Sequence, residues 1–291
     1  MTEPLFDVVV VGSANLDLVA NMDHLPTPGE TLIALGYAEY PGGKGVNQAV
    51  ACARMGAKTA FVGCVGNDDA GILLRSVLED EGIDTSHLRT VSVPTGRAFI
   101  NVDSHGENEI VVVAGANAHV GEEDNFFIPN SRVVLAQLEV PLETIEMAFT
   151  QARSNGAVTV LNPAPARDIP VSLLSLANIV VPNETESVAI GGTQQLLQSG
   201  VATVVTTLGA DGASIDTATS TTHIAPYKVT PVDTVGAGDA FIGATCAELS
   251  RGASIEDAAR MGAVAGATAT TVKGAVPSLP TRQAVLAAQK S

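Results

Sequence analysis

Short apolar runs recur along the chain and alternate with amphipathic stretches. The runs are rich in β-branched residues and predict buried strands at 8–12, 58–66, 132–139, 158–162, 178–182 and 203–208. Helical spacing of apolar positions predicts helices between them, for example at 70–81, 142–155 and 194–199. This alternation predicts an α/β fold with a doubly wound, mostly parallel central sheet flanked by helices.

Two further segments alternate apolar and polar residues and predict a second, smaller sheet. Residues 97–102 and 109–113 flank a turn at 104–107, which is typical of a β-hairpin. The proline- and glycine-containing stretch 18–41 alternates in a similar way around 31–40. We expect 18–41 and 97–113 to form a β-sheet lid inserted in a single domain of residues 1–291.

A glycine-rich turn opens a predicted helix within T-P-V-D-T-V-G-A-G-D-A-F at 230–241. Gly236 and Gly238 bracket Ala237, so that successive N–H groups and the helix dipole favour an anion there, and we expect a phosphoryl group. Asp239 lies in the first helical turn, where a carboxylate would orient an attacking hydroxyl and accept its proton late. The alternative is an ordinary glycine turn with an acidic residue that favours the dipole.

Polar side chains follow several predicted strands, at the edge where open parallel sheets bind ligands. Asn15 and Asp17 come directly after the first strand, and similar clusters lie at 137–139, 162–167, 183–186 and 207–212. The segment P-G-G-K-G-V-N-Q-A at 41–49 begins a helix, and its Lys44 and Asn47 are candidate hydrogen-bond donors. Ordinary turns and a plain helix-entry loop remain alternatives. The segment is not a Walker A loop, and no G-x-G-x-x-G follows a strand.

Composition narrows the classes of function. The net charge is −16, which argues against nucleic acid or an anionic membrane as partners, and no apolar stretch reaches the length of a membrane span. Three dispersed cysteines without C-x-x-C predict reduced core thiols, and residues 1–7 lack targeting features, so we expect a cytoplasmic protein. The five histidines lack metal-ligand spacing, and aromatic residues are only 3% of the chain.

The motifs at 41–49 and D-T-V-G-A-G-D-A-F at 233–241 resemble those of the ribokinase-like, or PfkB, carbohydrate kinase family. The similarity runs from V-V-V-V-G-S-A-N-L-D at 8–17 to K-G-A-V-P-S at 273–278 and includes N-P-A-P-A-R at 162–167. It implies ATP-dependent phosphorylation of the primary hydroxyl of D-ribose by in-line transfer, giving D-ribose 5-phosphate and ADP. It also implies Mg²⁺, activation by K⁺, and a homodimer formed through the lid.

The resemblance assigns roles at the matching positions. Asp239 is the expected catalytic base, and the backbone amides of Gly236, Ala237 and Gly238 are the expected anion hole. The sugar ligands implied are Asn15, Asp17, Gly43, Lys44, Asn47 and Glu139. Asn183 and Glu186 are expected near Mg²⁺ and phosphate, with Thr207, Gly209, Gly212 and Gly238 at ATP. The potassium site implied comprises Asp233, Val235, Ala269, Val272, Gly274 and Ser278, several of them through backbone oxygens.

Other functions stay open. The substrate could be another pentose, 2-deoxyribose or a nucleoside, although a nucleoside base usually requires an apolar or aromatic wall. A non-catalytic sugar sensor on the same fold is a second class, and a dinucleotide-dependent oxidoreductase lacks its glycine fingerprint. The chain departs from the family pattern in two places: residues 187–202 look short, and Ala263 replaces a larger side chain near the expected adenine position.

Overall fold

Residues 5–123 and 125–290 are described by a computed structural model, and their strands form two sheets. The strands of the larger sheet are β1 (Phe6–Val11), β4 (Thr59–Gly66), β5 (Asp84–Val91), β8 (Ser131–Gln137), β9 (Val158–Asn162), β10 (Ile179–Val180), β11 (Thr203–Thr207), β12 (Ala213–Asp216) and β13 (Thr221–Ile224). Their order is β13-β12-β11-β10-β9-β8-β1-β4-β5. Neighbouring strands are parallel from β11 to β5, and β12 and β13 add an antiparallel edge.

The smaller sheet, called the lid sheet below, consists of β2 (Asn15–Asn21), β3 (Gly36–Gly42), β6 (Gly96–Val102) and β7 (Asn108–Val113). Its order is β3-β2-β6-β7, with β2 and β6 parallel and the other pairs antiparallel. The predicted lid is therefore confirmed. Asn15 and Asp17 lie in β2 rather than in the loop expected after β1, because β2 pairs with β3 and β6 from its first residue.

Helices cover the larger sheet on both faces, as predicted. They are α1 (Lys44–Arg54), α2 (Asp69–Asp80), α3 (Leu142–Ser154), α4 (Val171–Leu176), α5 (Glu184–Ala189), α6 (Gly192–Gln198), α7 (Ala237–Ser250), α8 (Ile255–Ala269), α9 (Ala275–Ser278) and α10 (Arg282–Ala288). Within residues 5–123 and 125–290, no helix combines the length and apolar character needed to cross a membrane.

The central strand β1 explains why its sequence is an unbroken apolar run. Val8 and Val10 pack in one core cluster with residues of α1, α7 and α8, whereas Val9 and Val11 pack in a second cluster with residues of α3 and α4. Successive side chains of a strand point to opposite faces, so a strand covered on both faces requires apolar residues at every position. The three cysteines are free and buried, as predicted.

The sequence pattern missed three strands of the larger sheet. β5, β12 and β13 lie at the ends of the larger sheet, where polar residues such as Ser86 and Thr221 are exposed and the apolar signal is weak. Near the end of the chain, α8 ends at Ala269, and Gly274, with a φ of 86°, precedes the separate helix α9. A positive φ at a glycine interrupts a right-handed helix and redirects the chain.

Candidate active site

The glycine-rich turn lies at the start of α7. Gly236 is the residue before the helix and has a φ of 79°, and a Cβ there would lie 3.2 Å from the Cα of Ala275. Gly238 is different, because a Cβ there would meet no atom of the described residues within 4 Å. The fold therefore requires glycine at 236 but not at 238, and the open space beside Gly238 is available to a ligand.

Two cavities formed by described residues adjoin at this turn, and both are lined by Gly238 and Thr207. The larger has a volume of about 470 Å³, within the range of small-molecule sites. Its walls are mainly apolar, and they include Tyr227, Phe241 and Ala263. The predicted nucleotide residues Thr207, Gly209 and Gly212 also line it. This cavity suits a flat, mostly apolar group such as a nucleobase.

The smaller cavity, of about 210 Å³, is polar. Its lining brings together predicted site residues from four parts of the chain, namely Lys44, Asn183, Glu186, Thr207, Gly236, Gly238 and Asp239. Asn162 also contributes to it. Amide, ammonium and carboxylate groups at a helix N-terminus are the set that phosphoryl transfer to a hydroxyl requires.

The carboxylate of Asp239 is oriented by two side chains of α1. Asn47 donates from Nδ2 to Oδ2 of Asp239 at 3.0 Å, and Gln48 donates from Nε2 to Oδ1 at 2.9 Å. The Oδ1 atom of Asn47 is buried and has no hydrogen-bond partner among the described residues. A buried acceptor without a donor is costly, so this atom is expected to receive a hydroxyl of a ligand.

An acidic cluster surrounds the Lys44 side chain beside Asp239. The pKa of Asp17 is raised to about 7, chiefly by burial and also by the carboxylates of Glu139 and Asp239, against the opposing effect of Lys44. Burial alone would lower the pKa of Lys44, but Asp239 and Glu139 bring it above its usual value and keep the ammonium charged. Glu139 Oε2 accepts hydrogen bonds from the Ser13 hydroxyl and from the Lys44 backbone N–H, the latter at 3.1 Å.

The remaining predicted sugar residues border this cluster without lining either cavity. Asn15 is buried, and its Oδ1 accepts from Nδ2 of Asn117 at 2.7 Å. Gly43 has a φ of 88°, and a Cβ there would lie 2.8 Å from the backbone nitrogen of Asn15. Asp17, Asn47 and Glu139 also line neither cavity and reach the site through the contacts described above.

Asn183 and Glu186 form a reciprocal capping box at the start of α5. The Asn183 backbone N–H donates to Oε2 of Glu186 at 2.9 Å, and the Glu186 N–H donates to Oδ1 of Asn183 at 2.7 Å. Burial raises the pKa of Glu186, and the backbone of Asn183 opposes this effect. Within the described residues no group of three or more acidic, histidine or cysteine side chains forms a metal cage. Mg²⁺ usually binds one or two carboxylates plus substrate phosphates, so the carboxylate of Glu186 fits it.

The carboxylate of Asp233 bonds to two of the other predicted potassium residues, Val235 and Gly274. Its Oδ1 accepts from the Val235 N–H at 3.0 Å, and its Oδ2 accepts from the Gly274 N–H at 2.8 Å. The Ser278 hydroxyl donates to the carbonyl of Val235 at 3.5 Å. The N–H of Val272 donates to the carbonyl of Ala269, the last residue of α8, at 3.1 Å. The contacts shown for the Asp233 carboxylate are with backbone N–H groups, so potassium binding here stays a prediction.

Sequence analysis missed Gln48, Gln137 and Asn117 as site residues. Gln48 lies inside the 41–49 motif, and Gln137 belongs to the polar cluster at 137–139, so both had a weak local signal, although neither was assigned a role. Asn117 had no local sequence signal, because its contacts with Asn15 and Ala14 join positions about a hundred residues apart.

Residues 5–282 match the pfkB family of carbohydrate kinases. The chain belongs to this family. Among pfkB proteins, a ribokinase of Haemophilus influenzae is 41% identical over 296 residues, covering 96% of this chain and 97% of the relative. A deoxyribokinase of Salmonella typhi is 32% identical over 292 residues, covering 94% and 95%. Arabidopsis thaliana ribokinase, solved with ribose and ATP, has 32% identity, a TM-score of 0.89 and full coverage of both chains.

Proposed function

We propose that this pfkB protein transfers the γ-phosphoryl group of ATP to the primary hydroxyl of D-ribose. The observation that carries the proposal is the position of Asp239 at the N-terminus of α7, where an apolar and a polar cavity meet at Gly238. The apolar cavity suits a nucleobase, and the polar side suits phosphate and a polyol. Similarity to ribokinases over nearly the whole chain supports ATP and ribose as the substrates.

In the proposed reaction, Asp239 orients the primary hydroxyl of the sugar for in-line attack. A carboxylate is a far weaker base than an alkoxide, so the proton moves to Asp239 late, as the new P–O bond forms and the bond to ADP breaks. The N–H groups of Gly236, Ala237 and Gly238 and the ammonium of Lys44 stabilise negative charge on the transferred group. Mg²⁺, held near Asn183 and Glu186, would neutralise phosphate charge.

Sugar recognition rests on the acidic cluster and its neighbours. Carboxylates of Asp17 and Glu139 accept hydroxyl hydrogens, the unpartnered Oδ1 of Asn47 accepts another, and Asn15, Gly43 and Lys44 complete the site. A sugar that lacks one of these hydroxyls would leave a buried acceptor unpaired, at a cost of about 1–3 kcal/mol. Thr207, Gly209 and Gly212 bind the nucleotide in the larger cavity.

We expect ribose-dependent release of ADP from Mg-ATP, increased by K⁺, in a panel of pentoses, hexoses and nucleosides. Potassium held by Asp233, Val235, Gly274 and Ser278, with the carbonyls of Ala269 and Val272, would fix the loop before α7. Replacing Asp233 by Asn should therefore abolish the K⁺ response, whereas Asp80→Asn, on the exposed end of α2, should keep it. Turnover of another sugar in preference to ribose would overturn the substrate assignment.

A second candidate substrate is 2-deoxyribose, which the similarity to the Salmonella typhi deoxyribokinase favours. The ratio of kcat/KM for ribose to that for 2-deoxyribose separates the two. A ratio above about 10, equivalent to about 1.4 kcal/mol, supports a site that pairs the 2-hydroxyl. A ratio below one identifies 2-deoxyribose as the preferred sugar.

The raised pKa of Asp17 predicts a pH-dependent affinity for ribose. If the ionised carboxylate accepts sugar hydroxyls, KM for ribose should fall about tenfold from pH 6 to pH 8, through the pKa of about 7. Without sugar, the folded state holds this proton more tightly than the unfolded chain. The free energy of unfolding should therefore fall as pH rises from about 4 to about 7.

Asp17→Asn serves as the control for both effects. It should raise KM for ribose and remove the dependence of KM on pH, and its unfolding midpoint should lose part of the pH dependence of the parent. The same pH dependence of KM in Asp17→Asn would contradict the assignment. Measurements of initial rate and of chemical denaturation across pH 5–8 test the two parts separately.

We also propose that the lid sheet forms a homodimer interface within a single kinase domain. β7 is an edge strand, and its residues Ile110, Val111, Val112 and Val113 are each about half exposed. An apolar edge strand left uncovered promotes aggregation, and a second copy of the sheet would bury it.

The buried free thiols of the three cysteines are consistent with a cytoplasmic location.

Light scattering at micromolar concentration should give a dimer mass, which Val111→Lys should reduce to the monomer mass because lysine is costly to bury. Ile72→Lys, at an exposed apolar position on α2, is the matched control and should remain dimeric. A monomer mass for the parent protein would remove the dimer from the proposal.

A further inference from the structure

A chain of three buried amides lies beneath Asp239. Gln137 donates from Nε2 to Oε1 of Gln48 at 2.6 Å, and Gln48 donates from Nε2 to Oδ1 of both Asn162 and Asp239, each at 2.9 Å. Gln48 and Gln137 are fully buried, and Asn162 is 5% exposed. Each amide comes from a different element, because Gln48 is in α1, Gln137 ends β8 and Asn162 ends β9.

The contacts leave one orientation for the Gln48 amide. Asn162 donates from Nδ2 to the carbonyl of Val181 at 3.0 Å, so its Oδ1 faces Gln48 and requires a donor. The ionised carboxylate of Asp239 likewise accepts only. A rotated Gln48 amide would direct its oxygen at both acceptors and its NH₂ group at the donor of Gln137. Gln137 and Asn162 therefore hold the Gln48 N–H groups toward Asp239.

Packing alone does not account for glutamine at 48 and 137. The surrounding core is apolar, and a buried amide that loses its partner costs about 1–3 kcal/mol. The Oε1 atom of Gln137 in fact has no hydrogen-bond partner among the described residues. Methionine has a similar length and would fill the same volume without polar atoms. The amides contribute something that an apolar side chain does not, namely a directed N–H group at the Asp239 carboxylate.

We propose that Gln48, oriented by Gln137 and Asn162, is a positioning residue that sets the rotamer of the Asp239 carboxylate for phosphoryl transfer. The inference rests on the proposed role of Asp239 as base. Asn47 holds the other oxygen of the carboxylate from the same helix. With both oxygens restrained from α1, the plane of the carboxylate is defined before the sugar binds, and its remaining lone pairs face the primary hydroxyl. Gln137 acts indirectly, through Gln48, because its side-chain amide bonds to Gln48 and not to Asp239.

The test compares Gln48→Met and Gln137→Met with Gln151→Met. Gln151 lies on α3, where its amide bonds to the backbone of Phe126 and Ile128 at 3.0 and 3.1 Å, far from Asp239 in the fold. We expect kcat to fall about 10²-fold in Gln48→Met, since small misplacements of a reacting group have effects of that size. Gln137→Met should lose about 10-fold in kcat by releasing Gln48. KM for both substrates should change less than about threefold in either variant.

Gln151→Met should lose thermal stability to a similar extent while retaining parental kcat. Gln48→Glu adds a readout that a structural role would not produce. A neutral carboxyl at 48 donates to Asp239, but the ionised form repels it, so kcat should decline as pH rises, at temperatures below the unfolding transition. The parent should show no such decline over the same range.

Several results would overturn the proposal. One is a kcat within twofold of the parent in Gln48→Met, because the Gln48 amide would then not be needed for catalysis. Another is a loss of kcat in Gln151→Met equal to that in Gln48→Met, because the loss would then follow from destabilisation alone. Asp239→Asn is measured in parallel to separate this proposal from the proposed function. If Asp239→Asn keeps full activity, the assignment of the base fails; if it is inactive while Gln48→Met is not, only the positioning role fails.

Discussion

Asp239→Asn should lower kcat for ribose phosphorylation about 10³-fold, within the range found for loss of a general base, while ribose still binds. An amide at this position keeps the volume of the carboxylate but cannot take the hydroxyl proton. It also presents an NH₂ group to the N–H donors of Asn47 or Gln48, which hold the carboxylate at 3.0 and 2.9 Å. Substrate binding depends largely on other groups, so the loss should appear in kcat more than in KM.

Single-turnover rates and calorimetric titration with ribose measure the two quantities for Asp239→Asn. Asp80→Asn removes the same charge from an exposed position on α2 and should leave both unchanged. A variant that binds ribose but does not turn it over supports Asp239 as the base. Full activity in Asp239→Asn would contradict that role, and ribose binding without turnover in the parent protein would favour the sugar-sensor alternative.

Gly238→Ala should raise or preserve thermal stability and yet lower kcat/KM for ATP about 10²-fold. A Cβ at 238 meets no described atom within 4 Å, and alanine in a helix is favoured over glycine by about 0.5–1 kcal/mol. The same Cβ would occupy the space where the two cavities adjoin, next to the N–H groups expected to hold phosphate. Stability and activity should therefore change in opposite directions.

Gly243→Ala, on the same helix, provides the contrast. A Cβ at 243 would lie 2.3 Å from the Cβ of Ala51, so this variant should be destabilised by overpacking between α7 and α1. Calorimetric unfolding together with initial rates at varied ATP distinguishes the two glycines. A Gly238→Ala protein with parental kcat/KM for ATP would show that the space beside Gly238 is not the phosphate site.

Much of the fold could be predicted because its signals are local. The run at β1 indicated a strand covered on both faces, and the hairpin of β6 and β7 followed from alternation around a turn. The strands β5, β12 and β13 were missed because β5 and β13 are edge strands and β12 has only four residues, half of them partly exposed, so that their patterns resemble loops. Asn15 and Asp17 were placed in a loop because the pairing of β2 with β3 and β6 joins distant segments.

Some residues of the candidate site could likewise be predicted from local sequence signals, and others could not. The glycine turn at 236–238 and the motif at 41–49 carried enough local chemistry to indicate an anion site and a family resemblance. The structure brings Lys44, Glu186 and Asp239 to one cavity, although they lie in three separate parts of the sequence. The amide chain was not foreseen, because Gln48 and Asp239 are 191 positions apart and Gln48 and Gln137 are 89 apart.

The sequence by itself determined the doubly wound sheet, the lid, the glycine turn before α7 and the family of the chain. Those features arise from backbone periodicity and turn sterics, which act between near neighbours. Only the tertiary structure decided that burial and neighbouring carboxylates raise the pKa of Asp17, and that Gln48 and Asn47 hold the two oxygens of Asp239. These properties depend on distances and solvent exclusion between remote segments, which follow from packing rather than from local pattern.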